Sequence, residues 1–128
     1  MKYISRPNML ITFIKPDFEF SDDRGSLKQL VHNGWKQVNY ITSVGKAFRG
    51  NHYHKENREA LYVIKGRFRL IVSTIDGSIK EEYEMKSGDF FIIDPMVVHS
   101  FDYLEDTDLI SFYDKGVENE KGDKDIFQ

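Results

Sequence analysis

The sequence predicts a single all-β domain. Its apolar segments are short and rich in Val, Ile, Phe and Tyr, and Gly, Pro, Asp or Asn interrupts them about every 8 to 12 residues, which is typical of a sandwich or barrel. No segment shows the apolar spacing of an amphipathic helix. The chain has 128 residues, and 40% of them are hydrophobic, which is enough for one core and leaves little room for a second. We therefore predict that residues 1–128 form one domain.

The first half of the chain contains four predicted strands. An N-terminal strand within residues 1–20 precedes a turn at Ser21–Gly25. Because it lies ahead of the first turn, this strand can pair with a neighbouring subunit in a swapped arrangement. Further strands are predicted at Lys28–Val31, Val38–Val44 and Leu61–Ile64.

A hairpin is predicted next. Phe68–Val72 and Ile79–Met85 both alternate, so that one face of each strand is apolar. Asp76-Gly77 lies between them and predicts a tight turn, in which both positions need positive φ. Phe90–Ile93 is apolar throughout, which predicts a strand buried on both faces.

The last predicted strand is Leu109–Tyr113. Residues 116–128 form a polar, glycine-containing C-terminal segment, which we interpret as a mobile tail that docks at its end through Ile126 and Phe127.

Charge and composition exclude several classes of function. The 18 basic and 21 acidic residues leave a net charge of -3, so no positive field is available for nucleic acid or an anionic membrane, although local arginines can still hold a small anion.

The absence of cysteine excludes disulfides, thiolate nucleophiles and iron-sulfur clusters, and any metal must bind through His, Asp or Glu. The apolar stretch at Met9–Ile14 is too short for a signal peptide, and no stretch approaches the about 20 apolar residues of a membrane span. We therefore expect a cytoplasmic protein.

The residues most suited to chemistry surround a short His-x-His motif. His52 and His54 are two residues apart, and residues i and i+2 of a strand point to the same face, so both imidazoles can reach one ion. Glu59 follows five residues after His54, and His99 lies much later in the chain.

These spacings resemble the two-part signature of the cupin superfamily, with Gly66 seven residues after Glu59 and Gly88 eleven residues before His99. The resemblance spans about residues 23–113. It implies a cupin double-stranded β-helix, also called a jelly-roll barrel, for the single domain.

The cupin resemblance also implies a metal site. Its ligands would be His52, His54, Glu59 and His99, which include three of the four histidines of the chain. Such a set suits one divalent transition metal (Zn, Mn, Fe, Ni or Co) with open positions for substrate or water, and no organic cofactor is implied. Some cupins keep these residues without an ion, and the same imidazoles then act as acid and base. The chain departs from the family pattern at Met96, where a glycine is usual.

A narrower resemblance rests on Asp23–Gly25, Arg49–His54 and Ile93–Phe101. Together they are similar to cupins that modify nucleotide-linked deoxysugars. These are the 3,5- and 3-epimerases of 4-keto-6-deoxyhexoses, the 3,4-ketoisomerases, and the cupin domain of a capsular polysaccharide assembly reductase.

The resemblance implies roles for individual residues. The epimerase motif Arg-Gly-x-His-Tyr implies that Arg49 binds phosphate and that His52 is the base, while Arg24 is a second candidate for substrate binding. Tyr113 is near the position of the tyrosine acid in related epimerases, although its interpretation as a barrel-wall residue stays open. His54 replaces the usual glutamine of the epimerases, which favours the ketoisomerases or the capsular cupin.

The implied reaction is proton transfer beside a ketone. A ketone at C4 acidifies the hydrogen on C3, and an imidazole of near-neutral pKa can remove it. The enolate then needs a metal ion or a hydrogen-bond donor such as Tyr113. A histidine that ligates a metal cannot also be the free base, so His52 has two alternative assignments.

We therefore expect a homodimeric isomerase that acts on a nucleotide-linked 4-keto-6-deoxyhexose as a 3-epimerase or 3,4-ketoisomerase in polysaccharide biosynthesis. One alternative is a metal-dependent cupin enzyme of another class, such as a dioxygenase or a free-sugar isomerase. The other is a ligand-binding cupin without turnover, since a fold and a metal site do not by themselves imply a reaction.

Overall fold

The computed structural model describes the backbone of residues 2–4 and the whole of residues 9–128, and every regular element in these ranges is a β-strand. The strands are β1 (Lys2–Ile4), β2 (Ile11–Lys15), β3 (Phe18–Asp22), β4 (Gly25–Gln29), β5 (Gln37–Ser43), β6 (Phe48–His52), β7 (Glu59–Lys65), β8 (Arg67–Ser73), β9 (Lys80–Lys86), β10 (Phe90–Ile93), β11 (Val98–Tyr103) and β12 (Thr107–Tyr113). The prediction of an all-β fold is confirmed. Across the described ranges, no helix is long and apolar enough to cross a membrane.

Two antiparallel sheets face each other, as expected for a jelly roll. The larger sheet has the order β1-β2-β10-β7-β12-β5, and the smaller has the order β6-β11-β8-β9. Alternating strand residues from both sheets meet between them and form the main core. The fully buried members of this core with the largest side chains are Phe68, Phe91, Leu61, Leu70 and Met85.

A second apolar cluster covers the outer face of the larger sheet. It contains Ile14, Phe90, Ile92 and Phe112, with Trp35 packed against it. Because β10 lies between this cluster and the main core, all four of its residues are buried. The prediction of a strand buried on both faces is thereby confirmed.

The hairpin of β8 and β9 is confirmed, but its predicted turn is wrong. The register pairs Ser73 with Lys80, so six residues connect the strands rather than two. Gly77 has a φ of 75°, whereas Asp76 is not among the residues with positive φ. The Asp76 carboxylate instead accepts hydrogen bonds from the Ser78 N–H and from two hydroxyls, and these bonds organise a longer loop.

The N-terminal strand predicted within residues 1–20 is split into separate strands, and residues 1 and 5–8 lie outside the described part. β2 pairs with β10 of the same chain, with Phe13 opposite Phe91. Exchange of this strand with a neighbouring subunit stays a prediction. The turn predicted at Ser21–Gly25 joins β3 to β4.

The polar segment 116–128 is attached at several points rather than only at its end. One isolated bridge pairs Phe127 with Tyr53, and the Asn57 side chain donates to the Gly116 carbonyl; a second bridge, between Glu118 and Lys124, lies within the segment. Asp125 adds hydrogen bonds to the loop after His54. The predicted docking through Phe127 is present, whereas the mobile character we expected conflicts with these contacts.

Candidate active site

A cavity of about 130 Å³ lies between the two sheets and is lined by residues of both. Its wall contains charged, imidazole and phenol side chains, namely Arg49, His52, His54, Glu59, His99, Tyr103 and Tyr113. Apolar side chains, including Leu61, Phe101 and Ile126, complete it. All the predicted site residues except Arg24 therefore meet in one place.

A β-bulge in β6 directs the side chains of Arg49 and His52 toward the same cavity. Asn51 has a φ of 60° and is the extra residue where the pairing of β6 with β11 shifts. Gly50 has a φ of 132°, and a Cβ at this position would lie 2.5 Å from the Ser100 Cα, so only glycine fits. In a regular strand Arg49 and His52 would point to opposite faces. Because of the bulge, both side chains line the cavity.

Three predicted metal ligands form a buried cluster. The ligand atoms of His54, Glu59 and His99 all lie within 4.8 Å of one another. The Glu59 Oε1 is 3.4 Å from the His54 Nε2 and 3.5 Å from the His99 Nε2. His52 faces the same cavity and is not part of this group, although its ring centroid is 5.5 Å from that of His99.

Hydrogen bonds on the far side of the cluster orient each ligand. The His54 Nδ1 is 2.6 Å from the Asp125 carbonyl oxygen, and the His99 Nδ1 is 3.1 Å from the Val97 carbonyl oxygen. A carbonyl oxygen only accepts, so each Nδ1 carries a proton and each Nε2 faces Glu59. The Ser111 hydroxyl donates to the Glu59 Oε2 at 3.0 Å and holds the carboxylate from the other side.

The buried charges shift several pKa values. Burial raises the pKa of Glu59, but the adjacent His54 and His99 rings outweigh burial and hold it below its ordinary value. Burial lowers the pKa of His54, but Glu59 and the Asp125 carbonyl raise it overall. Burial lowers the pKa of His52 and of His99, and repulsion from His54 adds to both shifts. His52 is therefore neutral at pH 7, with a lone pair available as a base.

The cluster fits a divalent transition metal. Within the described ranges, the Glu59 Oε1 and the His54 Nε2 are buried without a hydrogen-bond partner. Buried polar atoms are seldom left in this state, and both atoms are metal donors that face a common point. Two imidazoles and one carboxylate are a donor set that divalent Fe, Mn, Co, Ni and Zn accept.

Tyr113 and Arg49 lie beside the cluster. The Tyr113 ring is 5.3 Å from the His54 ring, and the side chain is buried in the cavity wall. Burial raises the pKa of Tyr113 above its ordinary value and the Glu59 charge adds to the shift, so the phenol keeps its proton. The Arg49 Nη2 donates to the Thr42 carbonyl at 3.1 Å, which holds the guanidinium at the cavity wall.

Arg24 lies outside the cavity of its own chain. It occupies the turn between β3 and β4, and its side chain is 83% exposed. Its Nε and Nη2 donate to the Asp22 carboxylate at 3.0 and 2.6 Å, so the Asp-Arg-Gly segment acts as a turn here. The assignment of Arg24 to substrate binding has no support within the single chain.

Four residues that shape the site were not predicted to belong to it. Ser111 is two residues from Tyr113 on β12, and Tyr103 is two residues from Phe101 on β11. Because residues i and i+2 of a strand point to the same face, this spacing could have indicated both. Asp125 and Ile126 come from the C-terminal segment, and no local sequence signal connects them to His54.

Comparisons with known proteins agree with the observed fold. Solved structures of similar fold include a dTDP-4-dehydrorhamnose 3,5-epimerase from Sulfolobus tokodaii, with 26% identity, a TM-score of 0.72, and coverage of 88% of this chain and 75% of that one. The sugar 3,4-ketoisomerase QdtA from Thermoanaerobacterium thermosaccharolyticum, solved with TDP, has 22% identity, a TM-score of 0.76, and coverage of 94% and 88%. The capsular polysaccharide assembling protein CapF from Staphylococcus aureus has 20% identity and a TM-score of 0.64, and the match covers 86% of this chain and 31% of CapF.

These neighbours confirm the expected resemblance to the cupins of deoxysugar metabolism. No curated protein matches the sequence. The model of the polysaccharide biosynthesis C-terminal domain family matches residues 20–123, which include every strand from β4 to β12 and all the predicted site residues. The chain therefore belongs to the polysaccharide biosynthesis C-terminal domain family.

Proposed function

We propose that the protein is an isomerase of a nucleotide-linked 4-keto-6-deoxyhexose, which it converts by proton transfer at C3 as a 3-epimerase or a 3,4-ketoisomerase. The observation that carries this proposal is the position of His52, a neutral imidazole in the same cavity wall as Arg49 and the buried His54–Glu59–His99 cluster. The neighbouring structures include a 3,5-epimerase and a 3,4-ketoisomerase, which supports the general reaction.

His52 is assigned as the base that removes the C3 proton. Its pKa lies below the ordinary imidazole value, and its side chain is only partly buried, so substrate can reach it. The bond electrons move into a C3–C4 double bond and the C4 oxygen becomes an enolate. Return of a proton to C3 on the opposite face gives the epimer, whereas return to C4, with loss of the O3 proton and gain of one on O4, gives the ketoisomer.

Tyr113 is assigned to the return step. Tyr113 keeps its phenolic proton and lies against His54, so it can donate to an oxygen or carbon of the enolate. In a site without a metal, the imidazole of His54, in place of a glutamine, would add a second group for proton transfer. Two free imidazoles would then favour the ketoisomerase, because that reaction needs proton transfer at both C3 and C4.

His54, Glu59 and His99 are assigned as ligands of one divalent metal. Once bound, the ion would supply a Lewis acid for a ketone or enolate oxygen. This assignment leaves His52 as the free base, because His52 lies outside the ligand cluster. Arg49 is assigned to the diphosphate, since its remaining N–H groups offer the forked donors that phosphate oxygens accept.

A homodimer is proposed from an exposed apolar patch. Phe18, Phe20 and Leu27 lie on one face of the β3–β4 hairpin and are 54%, 52% and 55% exposed, and Val38 and Tyr40 are exposed on β5. An apolar surface of this kind is typical of a subunit interface. Net charge per chain is only -3, so two copies repel each other weakly. Light scattering should give twice the mass of 15.1 kDa, and Phe20→Ser should shift the mass toward the monomer.

The donor set also favours a second candidate function. Two histidines and one carboxylate with open positions are the ligand pattern of non-haem Fe(II) oxygenases. A metal-dependent dioxygenase would show stoichiometric iron and oxygen uptake with substrate. It would show no solvent exchange at C3 of a keto sugar.

The decisive experiment follows exchange at C3. Purified protein is incubated with a nucleotide-linked 4-keto-6-deoxyglucose in deuterated water, the C3 and C5 protons are followed by NMR, and metal content is determined on the same batch. Deuterium at C3 is expected, and the sugar product then separates epimerase from ketoisomerase. Absence of exchange with metal bound would contradict the isomerase and favour the oxygenase.

The matched control is His32, the histidine of the chain that was not predicted to belong to the site. His32 is exposed and its Nδ1 is 2.5 Å from the Asp17 carboxylate, away from the cavity lining. His32→Asn should therefore exchange at the native rate, whereas His52→Asn should abolish exchange. Equal exchange rates in the two variants would refute the assignment of His52.

A further inference from the structure

Residues of the C-terminal segment contact the His54 ring on the side opposite Glu59. The family match ends at residue 123, so residues 124–128, which we name the C-terminal strap, lie beyond it. Asp125 and Phe127 of the strap contact the segment that carries His54. Ile126, between them, lines the cavity. The strap is thus part of the site, although it is outside the region that matches the family.

The Asp125 carboxylate anchors the strap to the loop after His54. It accepts hydrogen bonds from the backbone N–H groups of Lys55, Glu56 and Asn57 at 2.8, 3.0 and 3.0 Å, and from the Asn57 Nδ2 at 2.9 Å. Asn57 is itself fully buried and donates to the Gly116 carbonyl. Four donors on one carboxylate fix the backbone of residue 125 relative to this loop.

Phe127 gives the strap a second attachment. Its backbone N–H and C=O pair with those of Tyr53 at 3.0 and 2.9 Å, and the two rings have centroids 5.7 Å apart. The Lys55 Nζ lies 4.1 Å from the centroid of the Phe127 ring. The strap is therefore held on both sides of Ile126, by the Asp125 carboxylate before it and by the Phe127 backbone after it.

We propose that Asp125 is a positioning residue for His54. The anchored carboxylate places the Asp125 carbonyl 2.6 Å from the His54 Nδ1, which keeps the proton on Nδ1 and leaves Nε2 facing Glu59. Without the strap, the buried ring would lose this acceptor, and either nitrogen could carry the proton. The inference rests on the proposed function in assigning His54 to the working site, whereas the position of the ring proton is independent of it.

The test compares Asp125→Ala with a matched control in the same segment. Asp123 is exposed, and its backbone rather than its carboxylate bonds to Asn119, so Asp123→Ala removes the same charge and leaves the anchor intact. Nitrogen-15 spectra of the imidazoles are recorded with a chelator, well above the ordinary imidazole pKa, and the His54 signals are assigned from their loss in His54→Asn. We expect one Nδ1–H tautomer in the native protein and in Asp123→Ala, and a mixture of tautomers in Asp125→Ala.

Kinetics give a second readout. The loss of an orienting partner should lower kcat by at least about tenfold in Asp125→Ala and leave KM within about threefold, because binding precedes the step that uses His54. An unchanged tautomer together with an unchanged kcat would overturn the proposal. If Asp125→Ala does not fold, Asp125→Asn, which keeps the carbonyl and one acceptor oxygen, should show a smaller shift in the same direction, and no shift there would also overturn it. If the native protein shows no exchange at C3, the proposed function fails while the imidazole spectra still decide the role of Asp125.

Discussion

His52 and His99 lie opposite each other on β6 and β11, with ring centroids 5.5 Å apart and planes at 89°. The two rings have different surroundings despite this proximity. His99 is buried, donates to the Val97 carbonyl and faces Glu59, whereas His52 is partly exposed in the cavity wall. This difference supports a division in which one ring is a ligand and the other a base.

The first prediction separates these two roles. His52→Asn should lower the rate of C3 exchange by at least about 100-fold, because it removes the general base, and should leave metal content unchanged. His99→Asn should lower both the rate of C3 exchange and the metal content, since it removes a proposed metal ligand. Metal analysis and exchange rates on the same preparations test this division. A loss of metal in His52→Asn would contradict it and make His52 a ligand.

The second prediction concerns Ser111, which donates to the Glu59 Oε2. Ser111→Ala should weaken metal affinity by about 10- to 100-fold, because the carboxylate loses the partner that orients it. Ser73→Ala, on β8 and outside the cavity lining, is the control and should bind metal as the native protein does. Competition with a fluorescent chelator measures both affinities, and equal values would contradict a positioning role for Ser111.

The third prediction concerns the pH dependence of stability. Hydrogen bonds from Ser78 and Thr74 lower the pKa of Asp76 to about 2, against an ordinary value of 3.8. The ionised form is favoured in the folded state, so its contribution is present above pH 3.8 and is lost as the pH falls toward 2. Asp76→Ala should therefore lower the melting temperature at pH 7, and the difference from the native protein should shrink as the pH falls from about 4 to about 2.

The control variant is Asp94→Ala, since Asp94 is exposed directly after β10. Its melting temperature at pH 7 should stay close to that of the native protein, because exposed substitutions usually change stability little. A destabilisation by Asp76→Ala that is constant with pH would show that the Asp76 side chain stabilises the loop without its charge.

The fourth prediction concerns Met96, whose φ of 70° is unfavourable for any residue with a Cβ. Its backbone N–H donates to the His54 carbonyl at 2.7 Å, which holds it in this conformation. Met96→Gly should raise the free energy of unfolding relative to Met96→Ala by about 1 kcal/mol, because the two variants differ only in the Cβ. Urea denaturation of both variants measures the difference, and a less stable glycine variant would contradict it.

The sequence was most informative where chemistry or burial left a periodic pattern. Strand alternation predicted that His52 and His54 share one face, and the uniformly apolar Phe90–Ile93 predicted a strand covered on both faces. Both patterns can be recognised within a few residues. Glu59 and His99 were added by the resemblance to the cupin signature, and they line the same cavity.

Other strands were not predicted, for two physical reasons. β11 contains the polar residues His99, Ser100 and Asp102. His99 and Ser100 are buried although they are polar, so the strand lacks the apolar alternation by which a half-buried strand is recognised. β6 contains the bulge at Asn51, which breaks the two-residue period on which the prediction relies.

The contact of Asp125 with His54 was beyond sequence reasoning. The two residues are 71 positions apart, and the acceptor is a backbone carbonyl, which every residue carries. No residue type therefore marks the contact in the sequence, and only the path of the folded chain brings the two groups together.

The bulge at Asn51 also affects a distance. It brings Arg49 and His52 to one wall although three positions separate them, so the backbone sets how far apart the two side chains begin. If Arg49 binds the diphosphate and His52 removes the C3 proton, as proposed, a substrate must match this span between its charged group and its reactive carbon. One extra residue in a strand would then select substrates by their length, and deletion of Asn51 would change that selection.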